Sequence, residues 1–279
     1  MIQPALKDNA FLADLALAKE SNESLILWWL GQSGYLIQYQ GHRLLLDPYL
    51  SDSLTHKYAT TDKPHVRMTE RVISPDRLAG IEVVTASHHH TDHLDPETLQ
   101  PSVGANPLVQ LVCPEAHRKL AMERSGLADR QIVGLDAGQE VGLGIFKFVA
   151  VPAAHESLDR DKDGRMLCLG FVIRVGPWTL YHSGDTVLYP GMEDLLRPFQ
   201  VDVAFLPING RAPERRVAGN LNGIEAARLA SAIGAKRVIP CHYDMFEFNT
   251  ATPDTFVAEC RRLGQGCVVL RAGERFTVG

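Results

Sequence analysis

The chain lacks any apolar run of 18 residues, so it offers no segment long enough to cross a bilayer as a helix. Its amino-terminal stretch also lacks the apolar core of a signal peptide, because Lys7, Asp8, Asp14 and Lys19 interrupt the alanines and leucines. The five cysteines are scattered and include no C-x-x-C pair, which fits reduced, mostly buried thiols and excludes a disulfide scaffold. We therefore expect a soluble, cytoplasmic protein.

An excess of positive charge is also lacking. The formal net charge is −5 and the isoelectric point is near 6.1, which argues against a general binder of nucleic acid or of anionic membranes. Hydrophobic residues make up 45% of 279 residues, an ordinary share for a globular chain with a sizeable core. We expect a small-molecule partner and no nucleic acid or membrane partner, and the sequence is compatible with a homo-oligomer.

Histidine is concentrated in one short stretch, Ser87-His88-His89-His90-Thr91-Asp92-His93, where four candidate metal ligands fall within six residues. The β-branched run at 81–86 before it predicts a buried strand, and Asp95-Pro96 after it predicts a helix N-cap followed by proline at the first helical position. The cluster therefore lies at the carboxyl end of a strand, where open α/β sheets bind their ligands. A merely polar loop is disfavoured, because clustered imidazoles repel one another on protonation unless a cation or hydrogen bonds hold them.

The remaining chain alternates short apolar runs with helical patterns. The patterns predict strands at 25–30, 35–39, 43–46, 109–113, 146–151, 168–175, 178–181, 203–206, 237–240, 267–270 and 275–278, and helices at 11–18, 115–125, 223–233 and 253–263. Residues 51–76 show no periodicity and carry many basic side chains, so we interpret them as a loop that covers the site. We expect one domain over 1–279, with residues 1–24 as a lead-in.

Five predicted strands end in a residue that can bind a metal or orient a metal ligand: Asp47, the His88 cluster, His155, Asp185 and His242. A single histidine after a strand is more often a hydrogen-bonded structural residue. The recurrence at the same end of successive strands makes coincidence improbable and predicts that these side chains share one site. Asp47 follows three leucines and is expected to orient a metal-bound histidine.

The order Asp, His-x-His-x-Asp-His, His, Asp, His resembles the metallo-β-lactamase superfamily from about Leu27 to Gly279. The resemblance implies an α/β fold, a four-layered αββα sandwich of two similar halves with two divalent metal ions at one edge. Carried over by motif, one metal is held by His88, His90 and His155, the other by Asp92, His93 and His242, with Asp185 bridging and Asp47 outside the ligand set.

Three motifs look like the L-ascorbate-6-phosphate lactonase branch of that superfamily: residues 29–34 (WLGQSG), 180–186 (LYHSGDT) and 238–244 (VIPCHYD). That lactonase lacks a histidine at the place of His155, so this chain has the fuller ligand set. The nitrogen and carboxylate ligands suit zinc, while manganese or iron is also compatible, and the lactonase branch is associated with manganese.

The resemblance implies a hydrolase. Two cations lower the pKa of a shared water from about 15.7 to roughly 7, and the resulting hydroxide attacks a carbonyl or phosphorus centre. Asp92 and Asp185 are the predicted catalytic carboxylates, Asp92 as a candidate proton shuttle. We predict hydrolysis of a lactone or related ester, such as a phosphorylated sugar lactone. A phosphodiesterase of the same superfamily is the alternative, and a non-catalytic metal-binding protein is a third reading, disfavoured because all seven ligands are present.

An anionic substrate needs additional basic groups at the same edge of the sheets. Arg211, Arg215 and Arg216 follow the strand at 203–206, and arginine grips phosphate or carboxylate through paired hydrogen bonds. Solvated surface arginines are the competing interpretation. Asn209 and Tyr243 adjoin strand ends and could donate to a substrate oxygen, although Tyr243 could instead pack beneath the site. The predicted substrate-binding residues are Asn209, Arg211 and Tyr243.

Overall fold

Two mixed β-sheets form the centre of the protein, and the computed structural model describes residues 1–18 and 23–278. The first sheet has the order β13-β1-β2-β3-β4-β5-β6 and the second has the order β12-β11-β10-β9-β8-β7. The strands of the first sheet are β1 (Leu25–Gly31), β2 (Gly34–Tyr39), β3 (His42–Leu46), β4 (Val83–Thr85), β5 (Gln110–Pro114), β6 (Ile132–Leu135) and β13 (Arg275–Val278). Those of the second are β7 (Glu140–Leu143), β8 (Phe146–Pro152), β9 (Leu169–Val175), β10 (Trp178–His182), β11 (Val203–Pro207) and β12 (Arg237–Cys241).

The two sheets repeat one plan. In each, neighbouring strands are antiparallel on one side, from β13 to β3 and from β7 to β10. On the other side they turn parallel, from β3 to β6 and from β10 to β12. Strands with parallel neighbours need buried faces, and β4 and β11, each of which has a parallel neighbour on both sides, consist entirely of buried residues.

Helices lie between and around these strands. They are α1 (Asp8–Ala18), α2 (Ser53–Tyr58), α3 (Pro96–Ala105), α4 (Arg118–Ser125), α5 (Met192–Leu196), α6 (Gly223–Ala232) and α7 (Asp254–Leu263). One continuous core joins apolar side chains from both sheets and from α1, α3, α6 and α7. The αββα sandwich of two similar halves that the resemblance implies is therefore confirmed. None of the described helices is both long and apolar enough to span a membrane.

The helix that follows the histidine cluster begins where the sequence predicts. Asp95 is its N-cap and Pro96 its first residue, and the buried Asp95 carboxylate accepts hydrogen bonds from Ser51 Oγ at 2.6 Å and Ser53 Oγ at 2.8 Å. Thr98 Oγ1 donates a third hydrogen bond at 2.6 Å. One carboxylate thus fixes the start of α3 and ties the segment around α2 to it.

Several local predictions need correction. The segment 51–76 contains α2, and a 3₁₀ turn at Pro75–Arg77 overlaps its end. The six residues of α2 are too few to produce a visible period in the sequence. Strands β6 and β7 were not predicted, since each is four residues long and contains a glycine. The predicted helix at 115–125 starts with a 3₁₀ turn, and the predicted strand at 267–270 forms only a bridge at Cys267. Part of the predicted lead-in, 19–22, lies outside the described residues, as does Gly279.

Candidate metal centre

Seven side chains that follow the carboxyl ends of β4, β8, β10 and β12 meet at one edge of the two sheets. They form two groups, one of His88, His90 and His155, the other of Asp92, His93, Asp185 and His242. Within each group the candidate ligand atoms lie within 4.8 Å of one another. The structure therefore brings together all seven residues that the sequence singles out, although they are spread over more than half of the chain.

The first group consists of three imidazoles. His155 Nε2 lies 3.2 Å from His90 Nδ1, and the rings of His88 and His155 are 5.1 Å apart. The carbonyl of Gly219 is 3.0 Å from His155 Nδ1, so this nitrogen carries the proton and Nε2 presents a lone pair to the group. Burial lowers the pKa of His88 well below its ordinary value and that of His90 to about 4. Neutral imidazoles with free lone pairs are the form that binds cations.

The second group centres on the carboxylate of Asp185. Its oxygens lie 3.3 Å from His93 Nε2 and 3.3 Å from His242 Nε2, and 3.7 Å from His155 Nε2 of the first group. Asp185 is thus a carboxylate that lies within 4 Å of imidazole nitrogens of both groups. Although burial opposes ionisation, His242 and His93 hold the pKa of Asp185 well below its ordinary value. A carboxylate between two sets of nitrogen ligands has the placement of a bridging ligand.

The donor set fits divalent cations. His88 Nε2, His93 Nε2 and Asp185 Oδ1 are buried and have no hydrogen-bond partner among the described residues. Buried polar atoms are nearly always paired, so several orphaned atoms that point at one another require an explanation. Imidazole nitrogens and carboxylate oxygens are ligands for zinc, manganese and iron, and a cation in each group would satisfy these atoms.

Asp47 orients one of the imidazoles. Its buried carboxylate accepts a hydrogen bond from His93 Nδ1 at 2.7 Å, and also from Thr85 Oγ1 at 2.7 Å and from the Ser87 amide at 3.1 Å. Burial would raise the pKa of Asp47, but His182, His93 and these hydrogen bonds hold it below its ordinary value. With the proton on Nδ1, the Nε2 lone pair of His93 faces the second group, which is the placement that the sequence predicts for Asp47.

Gln32 is a site residue that the sequence interpretation missed. Its side-chain Nε2 lies 2.8 Å from Asp92 Oδ2 and 3.0 Å from His242 Nε2. It sits in the turn between β1 and β2 with a positive φ of 50°, a backbone conformation that polar residues adopt more readily than bulky ones. The available signal was a polar residue between Gly31 and Gly34 directly after a buried strand.

A cavity of about 410 Å³ opens over the two groups. His90, Asp92, His155, Asp185 and His242 line it from below. Other side chains of the wall come from the segment 51–76, from α4 and from the chain around 216–249; they include Lys57, Tyr58, His65, Arg124, Arg216 and Asn249. The segment 51–76 therefore contributes directly to the cavity wall.

The three residues predicted to bind substrate lie outside this wall. Arg211 is half-exposed and pairs with Glu225 at 2.5 Å. Tyr243 is buried: its hydroxyl donates to the Leu270 carbonyl, and its ring stacks on Trp29 at 4.3 Å. Each of these two side chains therefore has a protein partner that competes with a ligand.

Asn209, the third predicted substrate-binding residue, is buried and contacts Asn249, a residue of the cavity wall. Its Nδ2 donates to Asn249 Oδ1 at 2.9 Å, and the neighbouring Arg215 donates to the same oxygen at 2.6 Å. Arg216, by contrast, lines the cavity. In the loop between β11 and α6, Arg216 thus lies at the cavity, whereas Arg211 pairs with Glu225 outside its wall.

Comparisons with known proteins agree with this arrangement. A family model described as a beta-lactamase superfamily domain matches residues 42–243. A metal-dependent hydrolase from Pyrobaculum neutrophilum is 27% identical over 250 residues, covering 88% of this chain and 96% of the relative. Another from Opitutus terrae is 29% identical over 256 residues, covering 90% and 99%.

Among solved structures, a metallo hydrolase from the hyperthermophilic archaeon Ignicoccus hospitalis has a TM-score of 0.67 at 21% identity, covering 92% of this chain and 99% of its own. At that identity the likeness concerns the fold alone. The match of the family model spans the strands that carry His88–His93, His155, Asp185 and His242. The chain belongs to the metallo-β-lactamase superfamily.

Proposed function

We propose that this chain, a metal-dependent hydrolase of the superfamily, acts on a lactone or related ester that carries an anionic group. The observation that carries the proposal is the pair of ligand groups sharing Asp185 at the floor of a cavity whose wall is rich in basic side chains. Such a substrate needs an activated water at its carbonyl carbon and a positive charge near its anionic group. The ligand groups could supply the first and the basic side chains of the cavity wall the second.

Two divalent cations are the implied cofactors, zinc or manganese, with iron compatible. His88, His90 and His155 would hold one, and Asp92, His93 and His242 the other, with Asp185 shared. When bound, such a pair supplies a nucleophile at neutral pH by lowering the pKa of a water. The chain itself fixes the direction of the ligands, since the Gly219 carbonyl holds His155 and Asp47 holds His93.

Asp92 is the candidate for proton transfer. Its side chain is 14% exposed and lines the cavity, and Gln32 Nε2 donates to its Oδ2 at 2.8 Å. This hydrogen bond leaves the other carboxylate oxygen free to take a proton from water and to return it to the leaving oxygen. Asp185, which is more deeply buried, holds the two ligand groups together.

The anionic part of the substrate would meet Lys57, Lys63, Arg124 and Arg216, which line the same cavity. Lys63 donates to the Arg216 carbonyl, and Arg216 pairs with the exposed Asp62. Because each retains further donor hydrogens, these side chains replace Arg211 as the expected partners of a phosphate or carboxylate.

The proposal is tested by metal analysis and by a screen of lactones against bis(p-nitrophenyl) phosphate. We expect two metal ions per chain and turnover of phosphorylated or carboxylated lactones, lost in Asp185→Asn. Arg216→Ala should lower kcat/KM about ten- to a hundredfold for the anionic lactone alone, whereas Arg211→Ala, a matched arginine of the same loop, should change little. Turnover of the phosphodiester without any lactone would instead support a phosphodiesterase, and two bound metals with neither activity would support a non-catalytic protein.

A further inference from the structure

We propose that His65 and Asn249 form a second recognition element in the cavity, an acceptor and a donor that together bind a neutral hydroxyl or carboxamide group of the substrate. The element lies outside both ligand groups, and neither residue was singled out by the sequence. It rests on the proposed function only in that its occupant is the substrate of the same cavity.

His65 presents a hydrogen-bond acceptor. Its Nδ1 lies 2.8 Å from the Lys63 carbonyl, and because a carbonyl can only accept, this nitrogen carries the proton. Burial lowers the pKa of His65, which favours the neutral ring with a lone pair on Nε2. Nε2 has no hydrogen-bond partner among the described residues and is not fully buried. Because the ring lines the cavity, this nitrogen is accessible to a ligand there.

Aromatic neighbours hold the imidazole in place. Its ring stacks on Tyr58 at 4.5 Å with an interplanar angle of 27°, and it meets the Phe246 ring edge-on at 5.1 Å. Phe248 packs at 5.6 Å, and Thr55 Oγ1 donates to the His65 carbonyl at 2.6 Å. An imidazole fixed in its ring plane, its tautomer and its backbone is preorganised, so a partner of Nε2 binds without first ordering it.

Asn249 presents a hydrogen-bond donor. Its Oδ1 accepts from Arg215 at 2.6 Å and from Asn209 Nδ2 at 2.9 Å. A guanidinium has only donors, so the contact with Arg215 settles which atom of the Asn249 amide is oxygen. With Oδ1 doubly bound to residues of the β11–α6 loop, Nδ2 is left as the free donor of a side chain that lines the cavity.

The two residues belong to one wall. Arg67 and Phe246 form an antiparallel bridge, and the Glu247 amide donates to the Val66 carbonyl at 3.0 Å. This pairing places His65 and Asn249 on adjoining segments of the wall of the cavity that opens over the two ligand groups. A hydroxyl both donates and accepts, as does a carboxamide, so either matches an acceptor and a donor that face one cavity; an alkyl group would leave both polar atoms desolvated and unpaired.

Binding of two stable, neutral lactams to the zinc-loaded protein tests the element without turnover. Both carry a ring amide that stands in for the ester at the two ligand groups, and D-glucono-δ-lactam adds hydroxyl groups that δ-valerolactam lacks. We expect calorimetry to give at least tenfold tighter binding of the hydroxylated lactam to the wild type. His65→Phe and Asn249→Asp should each lower this preference about tenfold with valerolactam binding unchanged, because each removes one hydrogen bond and keeps the side chain's approximate shape.

His65→Gln is the matched control. The Gln side chain places an acceptor near the position of Nε2, so the preference should be largely retained, whereas a merely structural role for the imidazole would not distinguish Gln from Phe. Equal affinity of the wild type for the two lactams, or an equal loss for both in the variants, would overturn the proposal. If the preference behaves as expected while no lactone is turned over, the recognition element stands and lactone hydrolysis fails.

Discussion

Replacing Asp47 with Asn probes how the protein orients a metal ligand without changing the ligand set. In the native protein, Asp47 Oδ2 accepts from His93 Nδ1 at 2.7 Å, and both carboxylate oxygens lie 3.1 Å from the Ser87 amide nitrogen. An Asn NH₂ at the Oδ2 position would face Nδ1 and favour the tautomer with the proton on Nε2. That proton would occupy the lone pair that the second ligand group needs.

The opposite orientation of the Asn amide is also unfavourable. Its NH₂ would then take the Oδ1 position, next to the Ser87 amide, and Thr85 Oγ1 would lose the acceptor it now has at 2.7 Å. Either way one charge-assisted hydrogen bond is lost, which costs about 1.5 to 3 kcal/mol. Since each 1.4 kcal/mol is roughly a factor of ten, metal affinity should fall about ten- to a hundredfold, the usual effect of losing such a partner.

The assay is competition for zinc between the protein and a chromophoric chelator at neutral pH. Asp202→Asn is the matched control: Asp202 is likewise buried and accepts from the Thr179 amide at 2.7 Å, but it pairs with Lys236, away from both ligand groups. That variant should lose stability and keep its metal affinity. Wild-type affinity in Asp47→Asn, or an equal loss in both variants, would refute the reasoning.

Three further predictions follow from the same structure. Asp185→Asn should bind at most one metal ion tightly, measured by elemental analysis after gel filtration, because the shared carboxylate loses its charge. Asp95→Ala should cost about 3 kcal/mol or more in urea unfolding, since α3 loses its N-cap and three hydroxyls lose their acceptor. Arg262 and Arg228 lower the pKa of Glu259 to about 2, so its stabilising effect should vanish as the pH falls from 4.5 towards 2.

The last of these is measured as the difference in melting temperature between wild type and Glu259→Gln, with chelator present in both. The difference should be largest above pH 4.5 and should shrink on acidification, since a carboxylate with a depressed folded-state pKa stabilises only while ionised. A difference that does not change with pH would contradict the role of the ion pairs. For the other two, retention of both metals in Asp185→Asn, or native stability of Asp95→Ala, would be the contrary results.

The convergence of the seven candidate ligands could be predicted from the sequence because each follows a buried strand, and parallel strands bring their carboxyl ends to one edge. The cluster at His88–His93 is local in sequence, and His155, Asp185 and His242 share its position relative to their strands. Where a β-branched run formed a strand, its boundaries were predictable to within one or two residues, while the run at 267–270 formed only a bridge. The αββα sandwich was expected because this order of residues resembles that of the metallo-β-lactamase superfamily.

The cavity wall could not be predicted in the same way. Which side chain of a loop faces a cavity depends on partners distant in sequence: Arg211 turns to Glu225, while Asn209 turns to Asn249, 40 residues away. His65 reaches the wall from a segment without periodicity, held by aromatic rings at 246 and 248. Contacts of this kind leave no period in the sequence, so residue type and strand position do not identify them.

Each ligand group is split between the two halves of the fold. His88 and His90 come from the first sheet and His155 from the second; Asp92 and His93 come from the first, and Asp185 and His242 from the second. A cation bound in either group would therefore cross-link the two sheets, and its binding free energy would stabilise the docked arrangement of the two halves. Neither half alone holds a complete group, so metal uptake should follow the docking of the sheets during folding, and release of metal should loosen the seam between them first.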